Sequence, residues 1–185
     1  FMGGGHGGGR PGEMRPSGSQ SSTTTTDESS TSMKGIKAAN SLLISGGTFK
    51  IDSADDSVHS DVSVTINGGT FEIKSENDCI DGTGKVTLSG GKYNLISGGG
   101  TANAPERAEN RFGRFGGRDF SEQQNTAAED TESFKALKSD AEIIVSGGEY
   151  AIDSADDAVH SNGVISFIDG IAEIKAGDDA FHADD

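Results

Sequence analysis

Two near copies of one short string hold most of the residues able to do chemistry. Ser53-Ala54-Asp55-Asp56-Ser57-Val58-His59-Ser60 returns 101 residues later as Ser154-Ala155-Asp156-Asp157-Ala158-Val159-His160-Ser161. Variants follow each copy at a spacing of 22: Asn77-Asp78-Cys79-Ile80-Asp81 after the first, Asp178-Asp179-Ala180-Phe181-His182 after the second. In this register Asp56, Asp78, Asp157 and Asp179 form one column, and Asp55, Asn77, Asp156 and Asp178 precede it. His59, Asp81, His160 and His182 form another, holding three of the chain's 4 histidines.

On stacked strands about 4.8 Å apart, such carboxylates repel one another unless a cation neutralises them. Closely spaced carboxylates suit Ca²⁺, which takes six to eight oxygen ligands, whereas imidazole favours Zn or Cu. The reading is therefore Ca²⁺ held by Asp55, Asp56, Asp78, Asp81, Asp156, Asp157, Asp178 and Asp179. His59, His160 and His182 then point outward beside it as ligand-binding groups, with Lys37 and Lys138. The competing reading has the aspartates capping bends by accepting from local backbone N–H groups. Lys34, Lys37, Lys135 and Lys138 hold the equivalent positions in two lysine repeats, where a salt bridge to the neighbouring acids ends the acidic row. A sharper role, a lysine base beside a Ca²⁺-bound uronate, requires a depressed pKa. Cys79 aligns with Ser57, Ala158 and Ala180, and reads as a small residue at a tight position.

What must position these groups is a repeat. The pairs Gly46-Gly47, Gly68-Gly69 and Gly90-Gly91 are spaced by 22, Gly147-Gly148 follows after 22 plus an insertion of 35, and Asp169-Gly170 comes 22 later. Apolar residues keep the register in five columns: Leu42, Val64, Val86, Ile143, Ile165; Ile44, Ile66, Leu88, Val145, Phe167; Phe49, Phe71, Tyr93, Tyr150, Ala172; Ile51, Ile73, Leu95, Ile152, Ile174; and Ile36, Val58, Ile80, Leu137, Val159, Phe181. Each repeat reads as strand, Gly-Gly turn, strand, polar bend and short strand, with inward residues at period two. One such unit cannot bury its apolar face alone, but stacked copies form a continuous core. The expected fold is all-β, a parallel β-helix (solenoid) of about six 22-residue coils starting at Lys34, Asp56, Asp78, Lys135, Asp157 and Asp179, the last cut short. The glycines read as corners that need positive φ or close backbone approach.

Two segments leave the register. Residues 1–33, rich in Gly, Ser and Thr, read as a low-complexity segment. The β-helix domain then spans 34–185, interrupted by a flexible insertion at 98–132 that carries Arg107, Arg111, Arg114 and Arg118 with Phe112, Phe115 and Phe120.

Composition narrows the class. With 30 Asp plus Glu against 15 Lys plus Arg, a net charge of −15 argues against nucleic acid as a partner. No run of about 18 apolar residues exists, so no membrane insertion is expected. The single Cys allows no intramolecular disulfide. Without a basic and apolar leader, the chain reads as a mature or excised piece.

Lys34-Gly35-Ile36-Lys37-Ala38, Ile44-Ser45-Gly46-Gly47-Thr48-Phe49, Asp52 to Ser60, Asn67-Gly68-Gly69-Thr70-Phe71 and Gly98 to Ala104 together resemble the bacterial carbohydrate-binding domain-containing β-helix family. The resemblance covers residues 34–104 and 133–185. It implies a right-handed parallel β-helix similar to pectate lyases, binding of cellulose and acidic plant sugars, and calcium in the structure. The chain departs from the pattern at Asn77 and Asp81, and at Lys135-Ala136-Leu137-Lys138, where a glycine is lost.

The leading functional expectation is an extracellular or cell-surface, Ca²⁺-containing polysaccharide-binding module. Aromatic residues are 6% of the chain and Trp is absent, which favours acidic sugars bridged by Ca²⁺ over flat stacking on cellulose. The alternatives are a Ca²⁺-dependent polysaccharide lyase with Lys37 or Lys138 as base, and a structural surface or filament protein whose open coil ends associate end to end.

Overall fold

The computed structural model describes residues 32–104 and 134–184, which fall within one compact unit, Ser32–Asp185. The low-complexity segment 1–33, and the arginines and phenylalanines of the insertion, therefore lie almost wholly outside the described residues.

The described chain is a parallel β-solenoid of five full coils and the first strand of a sixth. Coil one holds β1 (Ile36–Ala38), β2 (Leu42–Ile44) and β3 (Thr48–Ser53). Coil two holds β4 (Val58–Ser60), β5 (Val64–Ile66) and β6 (Thr70–Ser75), and coil three β7 (Ile80–Gly82), β8 (Val86–Leu88) and β9 (Lys92–Ser97). Coil four holds β10 (Leu137–Ser139) and β11 (Glu142–Ser154), coil five β12 (Val159–Ser161) and β13 (Val164–Ala176), and β14 (Phe181–Ala183) opens the sixth. The strands form a six-stranded sheet ordered β1-β4-β7-β10-β12-β14 and a bent eight-stranded sheet. Every pairing is parallel, and the five apolar columns stack as read, for example Ile36↔Val58, Val58↔Ile80 and Phe71↔Tyr93.

The insertion leaves this ladder intact. Ile80 pairs directly with Leu137 and Tyr93 with Tyr150, as though coils three and four were consecutive. The insertion's first residues are described: a single 3-10 turn, Thr101–Asn103, follows Gly98-Gly99-Gly100, and its Thr101 N–H donates to Asp153 Oδ1 at 2.7 Å. No described helix is long and apolar enough to cross a membrane.

The inward columns fill the lumen because alternate residues of each strand point in. Val64, Ile66, Ile73, Val86, Leu88, Leu95 and Ile143 are fully buried. Phe49, Phe71, Tyr93 and Tyr150 stack one per coil, with ring centroids 4.9, 5.0 and 4.7 Å apart and nearly parallel planes. The tyrosine hydroxyls stay satisfied by donating to Gly90 O and Gly147 O at 2.8 Å. Cys79 lies wholly inside, where burial pushes its thiol pKa up.

The Gly-Gly turns need one correction. Positive φ falls on the second glycine of each pair, Gly47, Gly69, Gly91 and Gly148, and on Gly170, as the corner reading requires. In coils four and five, however, the strand runs on through the corner, giving 13-residue strands β11 and β13. Ladder hydrogen bonding resumes at once beyond the glycine, where Glu149 N–H donates to Gly91 O at 2.9 Å. The pair thus separates two strands in coils one to three, as the turn reading expects, and bends one strand in coils four and five.

Candidate functional site

A buried serine column shapes the bend that presents the acidic residues. Ser53, Ser75, Ser97 and Ser154 close the last strand of successive coils. Ser75 Oγ donates to Asp78 O and Ser154 Oγ to Asp157 O, both at 2.9 Å, and the Ser97 and Ser154 hydroxyls are linked at 2.8 Å. These bonds fold each bend back on itself and aim the aspartate along the solenoid axis. Four serines at the repeat spacing were the sequence signal for this column, which the apolar columns overshadow.

Each aspartate so aimed caps the next coil. Asp56 Oδ1 accepts from Asp78 N–H at 3.2 Å, Asp78 Oδ1 from Lys135 N–H at 2.8 Å, and Asp157 Oδ1 from Asp179 N–H at 3.0 Å. Capping is also local, where Asp55 Oδ1 accepts from Asp56 N–H at 2.8 Å, but in the Asp56 column it reaches across coils.

Lysines supply much of the neutralising charge. Lys34 pairs with Asp56 and, at 3.3 Å, with Asp55. Lys138 Nζ lies 3.2 Å from Asp78 Oδ2, and Lys135 Nζ 2.7 Å from Asp156 Oδ2. Burial pushes the Asp78 carboxyl up to about 6, against the pull of Lys138 and the Lys135 N–H, with Asp56 and Asp81 adding to the rise. Burial likewise raises Asp81, opposed by Lys138 and His59. Burial alone would lower Lys138, but Asp78, Asp81 and Asp56 together outweigh it and hold the ammonium above the usual lysine range. Lys34 is raised in the same way by Asp56 and Asp55.

The histidines lie on the outer face in direct register, with Lys37↔His59, His59↔Asp81, Lys138↔His160 and His160↔His182. They do not share one environment. His59 Nδ1 meets Asp81 Oδ2 at 2.6 Å and its Nε2 meets Asp61 Oδ1 at 2.8 Å. His160 Nδ1 and His182 Nδ1 both lie 3.2 Å from Asp157 Oδ2. Lys37, at the exposed start of the row, has only the backbone register with His59 among the described residues.

Of the eight carboxylates expected to hold Ca²⁺, the structure brings some together in three groups: Asp56 and Asp81 with His59; Asp157 with His160 and His182; and Asp156, Asp157 and Asp178. Asp55, Asp78 and Asp179 fall outside them. The donors fit Ca²⁺ poorly. The first group has Lys34 on Asp56, the second is mostly nitrogen, and the third offers three carboxylates where the ion takes six to eight oxygens. Within that third group Asp156 is on Lys135, while Asp157 has one oxygen on an N–H and the other between two imidazoles.

A second surface was not singled out from the sequence. On the outside of β9, β11 and β13, Asn94 and Ala151 form a low floor. Lys92, Glu149 and Ile171 stand on one side and Asp153 and Lys175 on the other, Glu173 continues the row of Asn94 and Ala151 in the next coil, and shallow hollows lie between these residues. Lys92 pairs with Glu149 at 3.0 Å, both side chains being exposed. Its only sequence signal was ordinary polar alternation.

A lumen closed by stacked side chains, with polar groups in rows along the outer faces, defines a parallel β-solenoid. The family described as carbohydrate-binding domain-containing protein matches residues 12–75 and 62–180, and the chain belongs to that family. No curated protein and no solved structure matches the chain.

Proposed function

We propose that this chain is a polysaccharide-binding module working outside the cell or at its surface, and that the polymer lies in the trough over Asn94 and Ala151. The observation that carries this reading is where the aromatic side chains go. Phe71, Tyr93 and Tyr150 are sealed in the lumen, so the described faces of the inner coils recognise sugars by hydrogen bonds and charge instead of ring stacking. The trough supplies such groups on a rigid sheet, and Lys92 and Lys175, set among Glu149, Asp153 and Glu173, are the cations with which a polymer carrying carboxylates, such as a polyuronate, would pair, whereas neutral cellulose would not. The family's name supports a carbohydrate ligand, and the choice of acidic polymer is ours. Retention on polygalacturonate and on cellulose, measured at low and at high salt, tests it. We expect retention on the polyuronate that weakens with salt; equal retention on cellulose, or none on either, sinks the proposal. A lyase role is less well supported, because Lys138 is held protonated by its acidic neighbours when a base needs the opposite shift.

A second reading, end-to-end association of copies, is favoured by one observation. Val164, Ile168, Ile171 and Phe181 in the last coils are 46 to 71% exposed, where another coil would continue the ladders. Light scattering that rises with protein concentration, and falls when Ile171 and Phe181 are replaced by Lys, would support it.

A further inference from the structure

We propose that Asp157, His160 and His182 form a binding site for a divalent transition-metal ion of the Zn²⁺ class. The three residues come from a bend and two adjacent strands: Asp157 precedes β12, His160 lies in β12, and His182 lies directly opposite it in β14. Two imidazole nitrogens and one carboxylate oxygen converge, with each Nδ1 3.2 Å from Asp157 Oδ2. Ligand bonds of about 2.0 to 2.1 Å in a tetrahedral shell place donor atoms about 3.3 Å apart, so this spacing, which a hydrogen bond also fits, lets the three atoms serve one ion without rearrangement.

The far sides of the rings meet acceptors. His160 Nε2 faces Asn162 Oδ1 at 3.1 Å. The amide of Asn162 is oriented independently, because its Nδ2 donates to Asp140 Oδ1 at 3.3 Å. His182 Nε2 faces Asp184 Oδ1 at 3.3 Å. Both partners can accept from Nε2–H, the tautomer in which an imidazole binds a metal through Nδ1. Asp157 Oδ1 is meanwhile occupied by Asp179 N–H, which leaves Oδ2 as the oxygen facing both Nδ1 atoms. Outer acceptors on the far ring nitrogen are the usual accompaniment of metal-bound imidazole.

The equivalent group in the first half has a different donor set. It holds one imidazole, His59, between the carboxylates of Asp81 and Asp61, and Lys34 already sits on Asp56. In the second half Lys135 goes to Asp156, and the position matching Asp81 is His182. Two nitrogens with one oxygen favour Zn²⁺, Cu²⁺ or Ni²⁺ over Ca²⁺. Three protein ligands leave a fourth position for water or an oxygen ligand.

The test is Zn²⁺ titration of the chain in competition with a chromophoric chelator, with Co²⁺ as a spectroscopic probe. One ion per chain is expected, with visible absorption of tetrahedral Co²⁺. His160→Ala and His182→Ala should each weaken binding by more than about 100-fold, whereas His59→Ala should leave it unchanged. His182 stands at the solvent-facing end, and far-UV circular dichroism together with His182→Gln separates ligand loss from unfolding. Absence of Zn²⁺ binding, equal affinity in the His160→Ala/His182→Ala double variant, or displacement of Zn²⁺ by an equal concentration of Ca²⁺ would overturn the assignment. No carbohydrate enters the measurement, so it stands or falls apart from the sugar-binding proposal.

Discussion

Asp78 and Lys138 face each other across the join between the third and fourth coils, with Oδ2 and Nζ 3.2 Å apart. The other oxygen of the same carboxylate accepts from Lys135 N–H at 2.8 Å. One side chain therefore both caps the fourth coil and anchors its lysine, at the point where the insertion leaves and re-enters the ladder.

That carboxylate makes stability depend on pH in an uncommon direction. Its folded pKa of about 6 lies above the ordinary 3.8, so between these values the folded state keeps a proton that the unfolded chain releases. The contribution is fully present below pH 3.8 and is lost as pH rises through about 6. Asp78→Asn keeps the acceptor for Lys135 N–H and removes the titration. Relative to wild type, the variant should gain up to about 3 kcal/mol between pH 4 and pH 7, measured by urea unfolding at each pH. Parallel curves for the two proteins would refute the assignment.

The aromatic stack should dominate the core energetics. Tyr93 touches a ring above and a ring below, so Tyr93→Ala opens a cavity with no neighbour able to collapse into it, at a cost of about 3 to 5 kcal/mol. Tyr93→Phe keeps the ring and loses only the bond to Gly90 O, at a cost of about 1 kcal/mol. Denaturant midpoints at unchanged slope are the measurement, and similar losses for both variants would show that the hydroxyl, not the stack, carries the energy.

Much of this architecture was legible because a solenoid turns one period into every contact. A spacing of 22 with alternating parity already pairs Phe71 with Tyr93, and adding 35 pairs Ile80 with Leu137. It also puts Lys34 and Lys138 one coil from the acids they bind. Period says nothing of rotamer, however. Lys34 reaches both Asp55 and Asp56 while Lys135 goes to Asp156, and His59 turns to Asp81 in the next coil while His160 turns to Asp157 in its own. These choices follow from which neighbouring positions hold acid, amide or imidazole, an interplay that column-by-column reading does not resolve. The trough escaped for a different reason: it exists because Asn94 and Ala151 are short beside longer neighbours, and size contrast on an exposed face leaves no periodic mark.

The corner glycines separate conformational need from mere smallness. At Gly91, φ is 114° and an added Cβ would lie 3.0 Å from Gly69 O; at Gly46 φ is not positive and an added Cβ would meet nothing within 4 Å. Gly91→Ala should cost about 1 to 3 kcal/mol, and Gly46→Ala should be close to neutral. Equal thermal shifts for the two would show that the corner does not require the left-handed region.

The trough permits binding and stability to be pulled apart. The Lys92 to Glu149 pair joins two exposed side chains at 3.0 Å, and such pairs add little to folding because solvent screens them and their side chains lose entropy. Lys92→Ala should therefore leave the melting temperature unresolved from wild type. A polyuronate carboxylate seated on the rim would still lose its cation, and Lys92→Ala combined with Lys175→Ala should weaken retention about fivefold or more at low salt, with the difference vanishing as salt is raised. Lys85→Ala is the control, because Lys85 is likewise exposed and paired, with Glu142 at 2.7 Å, yet is not among the residues lining the trough. If it weakens retention as much as the trough variant, the polymer responds to overall charge and the trough is not its seat.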